Sequence, residues 1–190
     1  MMESISAEVL LGAYSKGVFP MAEDGEICWY SPEKRGVIPL DERFHVSKNL
    51  QRTLKKGVFR VSMNKAFREV MLACADREET WIDEVILESY CELHELGFGV
   101  SVESWDQDGL QGGLYGVALG RAFFGESMFS RKTDASKVAL VYLVEWLRQK
   151  DFILLDTQWM TDHLRQFGGY ELARDAYHCQ LADALECLRG

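Results

Sequence analysis

The chain has 190 residues, 47 % of them hydrophobic and only three of them proline, which is enough to bury a core and too apolar for a long disordered region. No apolar run approaches the roughly 20 residues that span a bilayer, and Met1 to Glu8 carries Glu3 and Glu8 with no basic stretch ahead of an apolar one, so neither a membrane span nor a secretory leader is expected. The formal net charge of −9, from 21 basic and 30 acidic residues, argues on its face against a nucleic-acid partner.

In chain order, Ser6 is placed to cap a helix carrying Leu10, Ala13 and Tyr14, and Gly17 to end it in the left-handed conformation. A loop with the turn signal Asp24-Gly25 follows. Ile27 to Tyr30 reads as a short strand stopped by Ser31-Pro32, and Val37 to Leu40 as another. Up to about Glu42 there is too little chain for a core, so residues 1–42 are expected to form a small N-terminal domain packed on a domain of 43–190. Gly57 to Met63 alternates, with Phe59, Val61 and Met63 on one side, and reads as a strand. Asn64 is a good N-cap for a helix with Phe67, Val70, Met71 and Cys74 on one face. Asp83 begins a second helix with Val85, Ile86, Ser89, Tyr90 and Leu93 inward, and Gly97 follows its end.

An antiparallel meander comes next: Gly99 to Trp105, then Leu110 to Leu119 with a bulge expected at Gly112-Gly113, then a strand from Arg121 to Phe124. Ala135 to Gln149 is helical, with Val138, Val141, Val144 and Leu147 apolar. Phe152 to Asp156 reads as a strand at the centre of a sheet. Arg174 to Leu188 is helical, with Tyr177, Leu181, Leu185 and Leu188 inward. The order predicts an α+β fold, a largely antiparallel sheet covered by helices, analogous to the GNAT-like (acetyltransferase-like) order.

Two features bear on chemistry. Cys28, Cys74, Cys91, Cys179 and Cys187 are odd in number with no Cys-x-x-Cys pair, and His45, His94, His163 and His178 are dispersed. No disulfide framework and no metal site are expected, and the cytoplasm fits best. Against the acidic total, Arg43, Lys48, Arg52, Lys55, Lys56, Arg60, Lys65 and Arg68 follow one another with no Asp or Glu between them. That run is either a solvated face or a local phosphate-docking patch, because screening confines charge effects to about 8 Å at physiological salt.

Several blocks together resemble the leucyl/phenylalanyl-tRNA–protein transferase family. They are Gly17-Val18-Phe19-Pro20-Met21, Trp29-Tyr30-Ser31-Pro32 with Arg35, Phe44-His45-Val46-Ser47-Lys48, Thr80-Trp81-Ile82 and Leu93-His94-Glu95-Leu96-Gly97. The most specific run is Gly112-Gly113-Leu114-Tyr115-Gly116 through Phe124-Gly125-Glu126-Ser127-Met128-Phe129-Ser130 to Ala135-Ser136-Lys137. Leu155-Asp156-Thr157-Gln158 with Asp162-His163 completes it. The blocks run in order from about residue 10 to 180. Met21 stands where Trp is usual, Asp83 where Thr or Ser is usual, and Thr161 where Asn is common; Leu143 and Leu147 stand where phenylalanines are often found.

The resemblance implies aminolysis of an ester: an apolar amino acid, Leu or Phe with Met as a further donor, leaves a charged tRNA for the α-amine of a protein beginning with Arg or Lys. This marks the acceptor for N-end-rule degradation and needs no metal or cofactor. It implies Asp156 and Gln158 as a catalytic pair. Their i, i+2 spacing at a strand end places both side chains on one face, where they either enter a cleft together or cap Asp162-His163. Glu126, a carboxylate in an apolar strand, needs a partner: a substrate group, or an internal cation such as Arg131 or Lys137. Leu114, Met128, Leu140, Leu143, Leu147 and Leu155 match the donor side-chain pocket, and by spacing alone are ordinary core. Trp29, Tyr30 and Trp81 are candidates to stack on the terminal adenosine, or else pack between the two domains. Arg52, Lys55, Lys56 and Arg60 are candidates for tRNA binding. Asp83 adds a carboxylate near Trp81 and either caps its helix or helps select basic N-termini. His94 and His163 read as structural.

Two other classes remain. One is a non-catalytic tRNA- or N-terminus-binding module on the same scaffold, disfavoured by Asp156, Gln158 and Glu126 together. The other is an acetyl-coenzyme A enzyme, disfavoured because Ser130-Arg131-Lys132-Thr133-Asp134-Ala135-Ser136 lacks the glycines of a pyrophosphate loop.

Overall fold

A computed structural model describes residues 4–188. The part of the leader expectation that rests on Met1 to Glu3 lies outside them, as does the side chain of Cys187. Helix α1 (Ala7–Tyr14) is capped by Ser6, whose hydroxyl accepts the Val9 N–H, and it buries Leu10 and Tyr14. Gly17 follows with φ +71°, the left-handed turn expected of it. Strands β1 (Phe19–Glu23) and β2 (Glu26–Tyr30) make a separate two-stranded hairpin.

The next strand, β3 (Lys34–Ile38), starts earlier than the Val37 to Leu40 read from sequence, and it belongs to the main sheet. The rest of the chain runs α2 (Lys48–Lys56), β4 (Arg60–Met63), α3 (Phe67–Ala75), α4 (Glu84–Glu95), β5 (Gly99–Asp106), β6 (Gly109–Leu119), β7 (Ala122–Ser130), α5 (Ala135–Gln149), β8 (Leu154–Gln158), α6 (Asp162–Arg165), β9 (Tyr170–Ala173) and α7 (Arg174–Leu185). The main sheet has the order β4-β5-β6-β7-β8-β3-β9. Every pairing in it is antiparallel except β7 with β8, which the α5 crossover makes parallel.

Both faces of the sheet are covered, so strand residues alternate between two cores. Tyr115, Val117 and Phe124 pack with Leu10, Val70, Ile86, Tyr90 and Leu181, from α1, α3, α4 and α7. Leu114, Phe123 and Leu155 pack on the other face with Leu50 of α2 and with Val138, Leu143 and Leu147 of α5. Each such side chain, fully buried, contributes roughly 1.5–3 kcal/mol.

Local expectations failed where a distant partner decides. Asn64 does not cap α3: it sits at φ +56°, and its Oδ1 accepts the Ser101 N–H at 3.0 Å. The amides of Lys65 and Ala66 instead donate to Glu103 Oε1, at 3.2 and 3.4 Å. Glu103 is fully buried and also accepts from the hydroxyls of Ser62 and Ser101. The bulge expected at Gly112-Gly113 falls on Gln111, between the pairs Trp105↔Leu110 and Ser104↔Gly112. Leu188 is 56 % exposed rather than inward, because α7 ends at Leu185. Asp83 caps α4, its Oδ1 accepting the Ile86 N–H at 2.8 Å.

Candidate active site

Strands β7 and β8 pair through Ala122↔Leu154, Phe123↔Leu155 and Phe124↔Asp156, and then part. Just beyond the last pair each strand carries one extra residue. In β7 it is Glu126, because Tyr115 faces Ser127 while Gly116 faces Gly125. In β8 it is Thr157, because Val37 faces Asp156 while Gly36 faces Gln158. Bulges of this kind turn a side chain out of the ordinary alternation. Glycine is required opposite both. A Cβ on Gly116 would stand 2.6 Å from the Phe123 ring, and one on Gly36 would stand 2.8 Å from the backbone of Trp159 and Met160.

The parting strands leave an apolar pocket of about 100 Å³. Leu114, Met128, Leu140, Leu143 and Leu155 line it, together with Ile38 and Leu164, which the sequence did not single out. Leu147 does not reach it; it is fully buried in the core under α5. Glu126 and Thr157 border the same space.

Glu126 is 8 % exposed. Its Oε1 accepts from the Tyr14 hydroxyl at 2.6 Å and from the Gln158 amide at 2.9 Å, and its Oε2 from the Tyr90 hydroxyl at 3.4 Å. Tyr14 and Tyr90 are also hydrogen-bonded to each other. Burial pushes the carboxyl up to about 7, while the Tyr14 and Gln158 donors pull the other way. Neither internal cation considered as its partner is used: Arg131 lies over the Phe129 ring, and Lys137 pairs with Asp134.

The side chains of Asp156 and Gln158 take different partners. The bulge at Thr157 and the left-handed φ of +62° at Gln158 break the alternation. Asp156 is fully buried on the side of α7, where the Arg35 guanidinium grips it through Nε at 2.9 Å and Nη2 at 2.7 Å and Tyr177 donates to it at 2.7 Å. Its link to the site is the Gln158 backbone N–H, which it accepts at 2.8 Å. Nor does the pair cap Asp162-His163; α6 is capped by Thr161.

Arg35 Nη1 donates to the Gly17 carbonyl at 2.9 Å, and the guanidinium lies between the Phe19 and Tyr177 rings. Burial opposes its charge, and Asp156 more than compensates, so its pKa is raised. The sequence named Arg35 only as part of a motif. A cation running directly into the apolar Gly36, Val37 and Ile38 was the available signal.

The aromatic candidates separate. Tyr30 stacks on Phe19 at 6.1 Å and meets the edge of Trp159 at 5.9 Å, directly after Gln158. Trp29 is exposed on β2 away from the pocket, and half-buried Trp81 packs against the core while its carbonyl accepts the Ala22 N–H. Trp159, 42 % exposed, went unremarked in the sequence because no periodicity marks a residue after a strand end. Arg52, Lys55 and Lys56 are exposed on α2, whose one buried residue is Leu50, and Arg60 is exposed on the edge strand β4. Among the described residues none of these four makes an ion pair, whereas Arg43 and Arg68 at the ends of the run are held by Asp41 and Glu88. His94 is structural, bonded to the Gly99 carbonyl and stacked on Phe67.

The model of the leucyl/phenylalanyl-tRNA protein transferase family matches residues 37–182, and that of the family's N-terminal domain matches residues 3–33. The chain belongs to this family. It is 56 % identical over 191 residues to the leucyl/phenylalanyl-tRNA–protein transferase of Akkermansia muciniphila, with 98 % of this chain and 99 % of that one covered. It is 52 % identical over 187 residues to that of Herpetosiphon aurantiacus, with 98 % of each covered. Among solved structures FemX superposes with a TM-score of 0.58 at 10 % identity, covering 88 % of this chain and 66 % of that one. That likeness concerns the fold alone, which is GNAT-like. No helix among the described residues is long and apolar enough to cross a membrane.

Proposed function

We propose that this chain moves leucine or phenylalanine, and methionine as a side chain of the same class, from charged tRNA onto the α-amine of proteins that begin with Arg or Lys. The reaction takes place in the cytoplasm, marks the acceptor for N-end-rule degradation and needs no cofactor, since the ester is already activated. The observation that carries this reading is a carboxylate and an amide, Glu126 and Gln158, hydrogen-bonded at 2.9 Å beside an apolar pocket of side-chain size.

In this reading the donor side chain enters between Met128, Leu140 and Leu143. The unbranched thioether lets one pocket take aliphatic and aromatic shapes. Glu126, with a pKa near 7, is matched to take a proton from an α-amine whose own pKa is about 8. Gln158 orients the reacting groups. Asp156 is a positioning residue: held by Arg35 and Tyr177, it fixes the Gln158 N–H. Tyr30, with Trp159 beside it, offers a stacking surface for the terminal adenine, worth roughly 1–3 kcal/mol, whereas Trp29 and Trp81 lie off the pocket. The exposed cations on α2 and Arg60 face the acceptor stem. We place the limit of the small N-terminal unit before β3, because β3 is part of the main sheet.

The test is transfer of labelled Leu, Phe and Met from their tRNAs to peptides beginning with Arg, Lys or Ala. Transfer of Leu and Phe to the Arg and Lys peptides is expected, with turnover lost in Gln158→Ala and donor binding kept. Failure to transfer from any of the three tRNAs overturns the reading.

A further inference from the structure

The substrates of the proposed reaction bring little negative charge to the reacting ester. The donor side chain is apolar, and the acceptor arrives with an α-amine and a basic first residue. The one anion at a fixed distance from the ester is the phosphodiester on the 5′ side of the terminal ribose. A cation beside the pocket would therefore serve the donor and repel the acceptor.

Among the described residues, one cation is hydrogen-bonded to residues that line the pocket. It is Arg77, exposed in the loop between α3 and α4. Its Nε donates to the Cys74 carbonyl at 2.6 Å, and its Nη2 to Ser127 Oγ at 3.1 Å and to the Met128 carbonyl at 3.5 Å. Ser127 and Met128 follow Glu126 in the pocket lining. Arg35, by contrast, is fully buried and bound to Asp156. The far end of the Arg77 loop is also fixed, because the Trp81 carbonyl accepts the Ala22 N–H of β1 at 3.1 Å. The loop thus runs from the rim of β7 to the hairpin that carries Tyr30, the stacking surface for the adenine.

These contacts aim the guanidinium and leave its charge unpaired. Nη1 has no hydrogen-bond partner among the described residues, and none of the acids beside it in sequence, Asp76, Glu78 and Glu79, forms an ion pair with it. Asp76 lines a separate groove with Glu69 and Leu72. A guanidinium held in this way keeps donors of its planar fork free for phosphate oxygens. We infer that Arg77 binds the phosphodiester between the last two nucleotides of the donor tRNA and so seats the terminal ribose at the pocket. The contact is separate from the docking of the acceptor stem on α2. It rests on the reading of the chain as a tRNA–protein transferase.

The experiment compares the parent protein with Arg77→Gln and Arg77→Lys. Two minimal donors, leucyl-adenosine and leucyl-adenosine 5′-phosphate, are used beside leucyl-tRNA, each with an Arg-initiated peptide. In the parent the 5′-phosphate should raise kcat/KM about tenfold, the lower end of what a hydrogen bond to a charged group contributes. The ratio between the two minimal donors should fall to near one in Arg77→Gln. Arg77→Lys should keep part of it, since an ammonium still holds phosphate as a point charge. For leucyl-tRNA, Arg77→Gln should lower the slope of log affinity against log salt by about 0.7, the value for one phosphate of a single strand.

A loop that merely needs Arg77 as a tether would slow both minimal donors alike and leave their ratio standing, which overturns the phosphate role. A parent indifferent to the 5′-phosphate overturns it too, as does an unchanged salt slope, which decides alone if neither minimal donor is used. A parent that does not transfer from leucyl-tRNA overturns the functional reading and this role with it.

Discussion

At the scale of single residues, two buried carboxylates in the same region face different partners. Glu126 meets only neutral donors, two tyrosines and an amide, so burial dominates and its pKa rises to about 7 from an ordinary 4.5. A group whose folded pKa is raised gives its full stability below the unfolded value and loses it as pH climbs through the folded one. The fold should therefore weaken between about pH 4.5 and 7, by on the order of 3 kcal/mol from this group. Urea unfolding of the parent and Glu126→Gln across pH 5 to 8 checks this; the variant should lack that part of the fall, and parallel curves would show the carboxyl is not so perturbed. Transfer should rise with pH through about 7 in the parent, as the carboxylate forms. Asp156 instead faces a guanidinium at 2.7 Å with both partners dry. Removing one member of such a pair costs about 3–5 kcal/mol, because the other charge stays buried and unpaired. Asp156→Ala is thus expected to destabilise the fold as well as slow the reaction. Arg35→Met with Asp156→Ala should cost less than the sum of the two single changes. Additive losses in urea unfolding would show the pair is not coupled.

At the scale of elements, Asp83 shows how a departure from the family pattern resolves. Its carboxylate accepts the Ile86 N–H at 2.8 Å and acts as the cap of α4. Asp83→Ser should change stability by a few tenths of a kcal/mol and Asp83→Ala should cost about 1 kcal/mol, with the preference for Arg and Lys over Ala peptides unchanged in both. A preference that weakens in Asp83→Ser would restore the recognition role. The caps at Ser6 and Asp83 were legible in the sequence, as was α5 from Ala135 to Gln149, because a helix is specified by neighbours three and four residues away, whereas Asn64 is taken by Ser101. Helix α2 was not legible, since Leu50 and Leu54 alone give no apolar stripe among its charges. The bulges at Glu126 and Thr157 were not legible either. A bulge is a mismatch between two strands, and each strand read alone looks regular. For the same reason the sequence named Asp156, Gln158 and Glu126 as residue types suited to the chemistry but not the partners that their side chains take. The carboxylate that binds the Gln158 side chain lies 32 positions away, and the cation that holds Asp156 lies 121 away.

At the scale of the whole molecule, an acidic chain carries exposed cations on α2 and at Arg60, and α2 is tied to the helix that supplies part of the pocket wall. Helix α2 is tied to the start of α5 by the Thr53 hydroxyl, which donates to Asp134 at 3.2 Å, and α5 supplies Leu140 and Leu143 to the pocket wall. With Arg43 and Arg68 neutralised by Asp41 and Glu88, the unpaired cations concentrate on α2 and at Arg60. A tRNA whose last residue reaches the pocket would run its acceptor stem along this surface. Repulsion from the remaining acidic surface is screened beyond about 8 Å at physiological salt, so the net charge of −9 does not oppose docking there. Each phosphate contact adds about 0.9 to the slope of log affinity against log salt on a duplex. Changing Arg52, Lys55 and Lys56 to Ala together should therefore flatten that slope by between two and three and weaken tRNA binding most at low salt. A minimal donor, leucyl-adenosine, has no acceptor-stem phosphates, so its transfer should be nearly unchanged in the same variant. Equal losses with both donors would mean that α2 acts through the pocket wall rather than through phosphate, and an unchanged salt slope would remove it from the tRNA surface altogether.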